Sequence, residues 1–191
     1  MYICRGAQAA MRYESQTAYT HGAQMCTTAS MCWVLACVRS LLAPAPPSES
    51  MQAFMRQASG THARASAALG SHAMLQQGEV IEQLGLPSGV SACEFYGYTS
   101  RRDPALAAFV CIDEIWPMLH EQARARRGGA CFTGGGHSTA LYLDPLGVLY
   151  MFDPMPASVL AVASSTHLER LLREAHPHAD QFTFTMVASV A

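Results

Sequence analysis

Seven cysteines and eight histidines hold most of the reactive chemistry in this 191-residue chain. A nucleophilic cysteine needs a lowered pKa, a base beside it, and hydrogen-bond donors for the charge that develops on the attacked carbonyl. The N-terminus of a helix supplies the first requirement through its dipole and its unpaired N–H groups. Cys26 meets that condition. It follows Gly22-Ala23-Gln24-Met25 and stands directly before a helical pattern opening at Thr27 or Thr28, either of which would cap it. Cys32 lies about one and a half turns into the same helix and stays a rival nucleophile. Cys37 falls on the apolar side, and Cys4, Cys93, Cys111 and Cys131 sit among apolar residues and read as core.

The base must come from the histidines. His176 and His178 flank Pro177 in what reads as a surface loop, and His62 and His72 lie in polar Ala/Ser-rich stretches. His120 and His167 have charged helical neighbours, and His21 is too close in sequence to face Cys26 from another wall of a cleft. His137 differs, because it follows Gly134-Gly135-Gly136 and opens a strand. Beyond that strand, Asp144-Pro145-Leu146-Gly147 has the signature of a type I turn, and a left-handed Gly147 closes a three-residue hairpin loop. In that register Asp144 faces Val148, Thr139 faces Asp153 and His137 faces Met155. His137 and Asp153 then share a face as diagonal neighbours. A two-residue loop would put them on opposite faces. A cysteine at an early helix start, with His and Asp on adjacent late strands, is the layout of papain-like cysteine proteases. With no asparagine in the chain, a side-chain amide for the oxyanion must be glutamine, and Gln16 and Gln8 both precede Cys26.

Helical periodicity covers residues 27–42, 48–58 up to a stop at Gly60, and 73–84 up to Gly85. Asp103-Pro104 opens a further helix towards Arg126, kinked at Pro117. Strand patterns follow at 130–133, 138–143, 148–152 and 182–188, and Thr166-x-x-Glu169 reads as a capping box for a helix reaching Ala175. Helices first and an antiparallel sheet second make an α+β chain, the N-terminal helices packed on the C-terminal sheet. The Ala43-Pro44-Ala45-Pro46-Pro47 stretch is too short to separate domains, so residues 1–191 read as a single domain.

Composition narrows the function. Half the residues are apolar, 14% are charged and the net charge is −2, which supports a sizeable core and argues against a nucleic-acid partner. No apolar run approaches the ~20 residues of a membrane span, and the N-terminus lacks a signal-peptide pattern. An odd number of cysteines without a C-x-x-C pair points to free thiols in a reducing compartment. The 26, 32, 37 spacing with no paired histidines gives no zinc site, and no cofactor is expected. Lysine and asparagine are both absent, as a GC-rich genome would produce, so no N-glycosylation sequon exists.

Three stretches resemble the N-terminal deubiquitinating protease domain of herpesvirus large tegument proteins. They are Gly22-Ala23-Gln24-Met25-Cys26 with the apolar helix through Val34-Leu35-Ala36-Cys37-Val38-Arg39-Ser40-Leu41-Leu42, the run Val110-Cys111-Ile112-Asp113-Glu114-Ile115, and Leu149-Tyr150-Met151-Phe152-Asp153-Pro154. The resemblance implies a papain-like fold and cleavage of ubiquitin from conjugates, in a monomeric domain of a virion tegument protein acting in host cytoplasm and nucleus. It implies Cys26 as nucleophile, Asp153 as orienting acid and a glutamine for the oxyanion. Gln16-Thr17-Ala18-Tyr19 is similar to the family's local run and favours Gln16, with Gln8 left open. The family's histidine does not carry over, because this chain reads Asp153-Pro154-Met155. His137, directly opposite position 155 in the derived register, is expected to take its place. An inactive ubiquitin-binding or scaffolding module is the alternative expectation, and a protease of viral polyprotein a third.

Overall fold

The computed structural model describes residues 11–12, 25–69, 77–86, 88, 90–99, 116–117, 128–179 and 181–189. Among these, four helices form: α1 (Cys26–Val38), α2 (Ser48–Leu69), α3 (Gln77–Leu84) and α4 (Ser165–Ala175). The strands are β1 (Met11–Arg12), β2 (Val90–Thr99), β3 (Gly128–Gly134), β4 (His137–Leu143), β5 (Leu149–Asp153), β6 (Ser158–Val162) and β7 (Gln181–Ser189). They form one sheet in the order β1-β6-β5-β4-β3-β7-β2, antiparallel at every pairing. The class is α+β, as the sequence pattern predicts. Helices and strands are less segregated than that pattern suggests, because β1 and β2 precede residue 100 and join the sheet at its two edges. An edge strand is specified by its one neighbour more than by its own alternation, and β2 also carries a register shift between Phe95 and Tyr98.

The sheet is buried on both faces. Ala140, Tyr142, Phe152 and Val159 pack with α1, α2 and α3, while Leu141, Leu143, Met151 and Phe184 pack with Leu168 and Leu172 of α4 on the other side. Strands covered on both sides read as nearly continuous apolar runs, which is why β4 is easy to find in the sequence. α1 is the central helix, buried on almost every side. Two contacts fix its height and direction over the sheet. Trp33 stacks on Phe152 with ring centroids 5.2 Å apart and meets Tyr142 edge-on at 6.4 Å. Gly129 of β3 admits Val34, since a Cβ there would stand 2.2 Å from Val34 Cγ2 and 2.5 Å from the Leu141 carbonyl oxygen.

The structure corrects three local expectations. α2 does not stop at Gly60 but continues to Leu69. A mid-helix glycine costs about 1 kcal/mol, which the buried Thr61, His62 and Ala65 beyond it offset. Neither Thr27 nor Thr28 caps α1; the cap position is Met25, with no side-chain bond. α4 is capped by Ser164, whose hydroxyl accepts the His167 N–H at 3.1 Å, and not by Thr166. The helix expected over 103–126 lies outside the described residues except for the helical Trp116 and Pro117. Gln8, Gln16, Cys4, Cys111 and the stretch 110–115 lie outside them altogether.

Candidate active site

Cys26 is the first residue of α1 and is 1% exposed. The first intrahelical bond runs from the Ala29 N–H to the Met25 carbonyl at 2.9 Å, so the N–H groups of Cys26, Thr27 and Thr28 have no acceptor within the helix. The hydroxyls of this first turn serve tertiary bonds in place of capping. Thr27 Oγ1 meets Ser138 Oγ at 2.8 Å, the Ser30 hydroxyl donates to the Ser138 carbonyl at 3.1 Å, and Thr28 Oγ1 meets His62 Nδ1 at 3.1 Å. The first two bonds tie the N-terminal end of α1 to the start of β4, and the third ties it to α2. His62, in a stretch that reads as polar, is buried there.

His137 opens β4 after a two-residue turn. Gly135 and Gly136 both have positive φ, +59° and +81°, as a type I′ hairpin turn requires. The β4–β5 hairpin has the register derived from its turn: Leu143 pairs Leu149 and Ala140 pairs Phe152, Gly147 has φ +80°, and the Asp144 N–H donates to the Val148 carbonyl at 3.0 Å. In that register His137 Nε2 lies 2.8 Å from Asp153 Oδ1. Asp153 is itself fixed, since the same oxygen accepts the Met155 N–H at 2.9 Å.

With Nε2 taken by Asp153, Nδ1 is the ring nitrogen left for Cys26. The thiol and the imidazole are near enough to perturb each other, although Nδ1 makes no aligned hydrogen bond. Catalytic hydrogen bonds are often long in the unliganded state and tighten with substrate. Burial would push the Cys26 thiol up. The hydrogen bonding and charge of His137, with smaller contributions from the N–H and hydroxyl of Ser138, outweigh burial and hold it below its ordinary value. Burial would likewise push His137 down, but Asp153 first and Cys26 second raise it to about 9. Both shifts favour a thiolate–imidazolium pair.

A second histidine stands behind the first. His176 is 3% exposed, its ring centroid 5.3 Å from that of His137, and it is not the surface residue its neighbours His178 and Pro177 suggest. Its Nδ1 lies 2.9 Å from the Gly134 carbonyl and its Nε2 3.0 Å from Thr139 Oγ1. A carbonyl can only accept, so Nδ1 carries the hydrogen and Nε2 accepts from the threonine. The neutral ring is fully satisfied, and burial pushes its pKa down to about 4. Nothing in the residues around His176 marks it. The return of the chain after α4 over the β3–β4 turn is what buries it.

Cys32 is not brought to this cluster. It lines a groove of about 500 Å³ between α1 and α2, with Leu35, Phe54 and Thr61, which Cys26, His137 and Asp153 do not line. Burial pushes its thiol up to about 12 despite the charge of Arg64. Cys37 and Cys131 are raised by burial too. No group of three or more His, Cys, Asp or Glu side chains able to hold a metal occurs among the described residues.

No protein-family model and no curated protein matches the sequence. The fold does match that of solved structures. One matching structure is the ubiquitin-specific protease encoded by murine cytomegalovirus tegument protein M48, in complex with a ubiquitin-based suicide substrate. The TM-score is 0.67 at 13% identity, over 94% of this chain and 85% of that one. At that identity the likeness is one of fold.

Proposed function

We propose that residues 1–191 form a single papain-like cysteine protease domain that hydrolyses the bond after the Gly-Gly terminus of ubiquitin. The observation that carries this proposal is the juxtaposition of Cys26, at the open end of α1, with His137 hydrogen-bonded to Asp153 at 2.8 Å, in a fold shared with a ubiquitin-specific protease.

In this mechanism the Cys26 thiolate attacks the carbonyl carbon of the terminal glycine. The oxyanion is met by the Cys26 N–H, which has no helical acceptor, and by a side-chain amide for which Gln16 is our candidate and Gln8 the substitute. His137, protonated at Nδ1 in the ion pair, gives that proton to the leaving amine. It then takes one from the water that cleaves the acyl-enzyme, and the thiolate returns. Asp153 keeps the ring oriented and stabilises its positive charge throughout. Moving the base from position 155 to the facing strand preserves its carboxylate partner and frees position 155 for the exposed Met155. Ubiquitin and its conjugates are the proposed partners, and the virion tegument the proposed location.

A ubiquitin carrying a C-terminal electrophile tests this directly. Stoichiometric covalent labelling at Cys26 is expected. Non-covalent ubiquitin binding without labelling would make the chain an inactive binding module, and neither outcome would leave a protease of other substrates.

A further inference from the structure

The Cys26–His137–Asp153 cluster leaves unexplained a line of buried polar side chains that runs across the α1-facing side of the sheet towards the nucleophile. Gln77, 6% exposed on α3, is its far end. Its Nε2 donates to the Thr183 carbonyl at 3.3 Å and to Thr133 Oγ1 at 2.8 Å, and its Oε1 accepts from the Thr185 hydroxyl. The backbone carbonyl fixes which end of the amide is which, because a carbonyl cannot donate. Thr133 spends an acceptor on Gln77 and keeps its own hydrogen, which it can give to Ser138 Oγ at 2.7 Å. Ser138, fully buried, then has a hydrogen of its own to give. Thr27 Oγ1, next in the chain to Cys26, lies 2.8 Å away as one acceptor, and the same Ser138 hydroxyl favours the ionised form of the Cys26 thiol.

We propose that this one-way chain, Gln77 to Thr133 to Ser138, aims the Ser138 hydroxyl at the Cys26 sulfur, making Ser138 a catalytic residue that donates to the thiolate and making Thr133 and Gln77 positioning residues that act through it. The proposal deepens the protease mechanism and rests on Cys26 being its nucleophile. When Cys26 ionises, the Ser138 hydrogen turns to the sulfur and Thr27 supplies its own hydroxyl hydrogen to the vacated Ser138 oxygen, so no buried polar group loses its partner. A hydrogen bond to a charged acceptor is roughly twice as strong as one between neutral groups, so the chain favours the thiolate over the thiol. The other titratable groups around Cys26 are His137 of β4, Asp153 of β5 behind it, Cys131 of β3, and the neutral His176 beside His137. None of them is hydrogen-bonded to Gln77 or Thr133, so substitutions at those two positions report on the chain itself.

The test is the pH profile of Cys26 alkylation by iodoacetamide, read on the Cys26 peptide by mass spectrometry in the full chain. Ser138→Ala should move the midpoint up by about one pH unit, which is about tenfold slower alkylation on the acid side. Thr133→Val, which keeps the shape and loses the hydroxyl, should move it the same way by about threefold in rate, and Thr133→Ser should restore the original profile. Gln77→Leu should follow Thr133→Val. Unchanged midpoints in Thr133→Val and Gln77→Leu, with native circular dichroism, overturn the proposal even if Ser138→Ala does not fold. Equal shifts in Thr133→Val and Thr133→Ser overturn it as well, since packing alone would then be responsible. The alkylating agent is independent of ubiquitin. Shifted profiles in a chain that a ubiquitin probe does not label would leave the hydroxyl chain standing and remove the deubiquitinase function; labelling with flat profiles would do the reverse.

Discussion

The two ends of the α1 environment treat the same functional group in opposite ways. At its N-terminus Cys26 meets N–H groups with no acceptor in the helix, an imidazole and the polar side chains of β4, and its thiol is pulled below the ordinary value. Further along the same helix, Cys32 meets the apolar wall of the α1–α2 groove, and its thiol is pushed up to about 12. The histidines repeat the lesson at shorter range. His137 and His176 stand 5.3 Å apart, yet one is raised to about 9 and the other lowered to about 4. Two positive charges that close would repel. The carboxylate of Asp153 assigns the charge to His137, while burial, helped by the charge of His137, holds His176 neutral against the pull of its bond to the Gly134 carbonyl.

The contrast between the two thiols breaks most sharply on Cys26→Ala, which should abolish labelling by an electrophilic ubiquitin probe while circular dichroism stays native. Labelling that survives Cys26→Ala and disappears with Cys32→Ala would reverse the assignment. His137→Ala comes next, with turnover of a fluorogenic ubiquitin substrate expected to fall about 10²- to 10⁴-fold. A loss confined to KM would mean that His137 only shapes the cleft.

Asp153→Asn sharpens the contrast between the histidines. It removes the largest influence that raises His137, so the alkaline limb of the activity profile should descend from about pH 9 by about one to two pH units. An alkaline limb that stays near 9 would show that Asp153 does not set the base.

His176 has a smaller effect, read in stability. Its folded pKa lies below the unfolded value, so the unfolded chain binds more protons between pH 6.5 and about 4. Stability should therefore be fully present above pH 6.5 and fall as pH drops through that window, by about 3 kcal/mol. Urea unfolding of His176→Gln should lack this acid slope. The same slope in wild type and variant would place the acid sensitivity elsewhere. Cys32→Ala has the smallest expected effect, with probe labelling unchanged; a large loss there would couple the groove to the nucleophile.

Much of the Cys26–His137–Asp153 geometry can be read from the chain because it depends on short-range rules. The Asp-Pro-Leu-Gly turn dictates the β4–β5 register, and the register puts His137 and Asp153 on one face. Cys26 is legible as a helix start for the same reason. What could not be read is contact between residues far apart in sequence. Thr27 and Thr28 look like caps because a hydroxyl at a helix start usually bonds its own backbone, but Ser138 and His62 offer buried partners instead. Gln77, Thr133, Ser138 and Thr185 are ordinary polar residues far apart in sequence, and only their convergence makes a chain of them.

The amino-acid sequence determines by itself the α+β class, the helix that opens beside Cys26, and the hairpin that brings His137 to Asp153, because period, turn chemistry and register act over a few residues. Tertiary structure decides which cysteine meets the imidazole, which of two adjacent histidines is charged, and whether His176 is surface or core. Those outcomes depend on burial and on charges within a few ångströms. For a thiol at residue 26 or a ring at residue 176, the neighbours that set both are supplied by strands more than 30 residues away, and no local pattern records them.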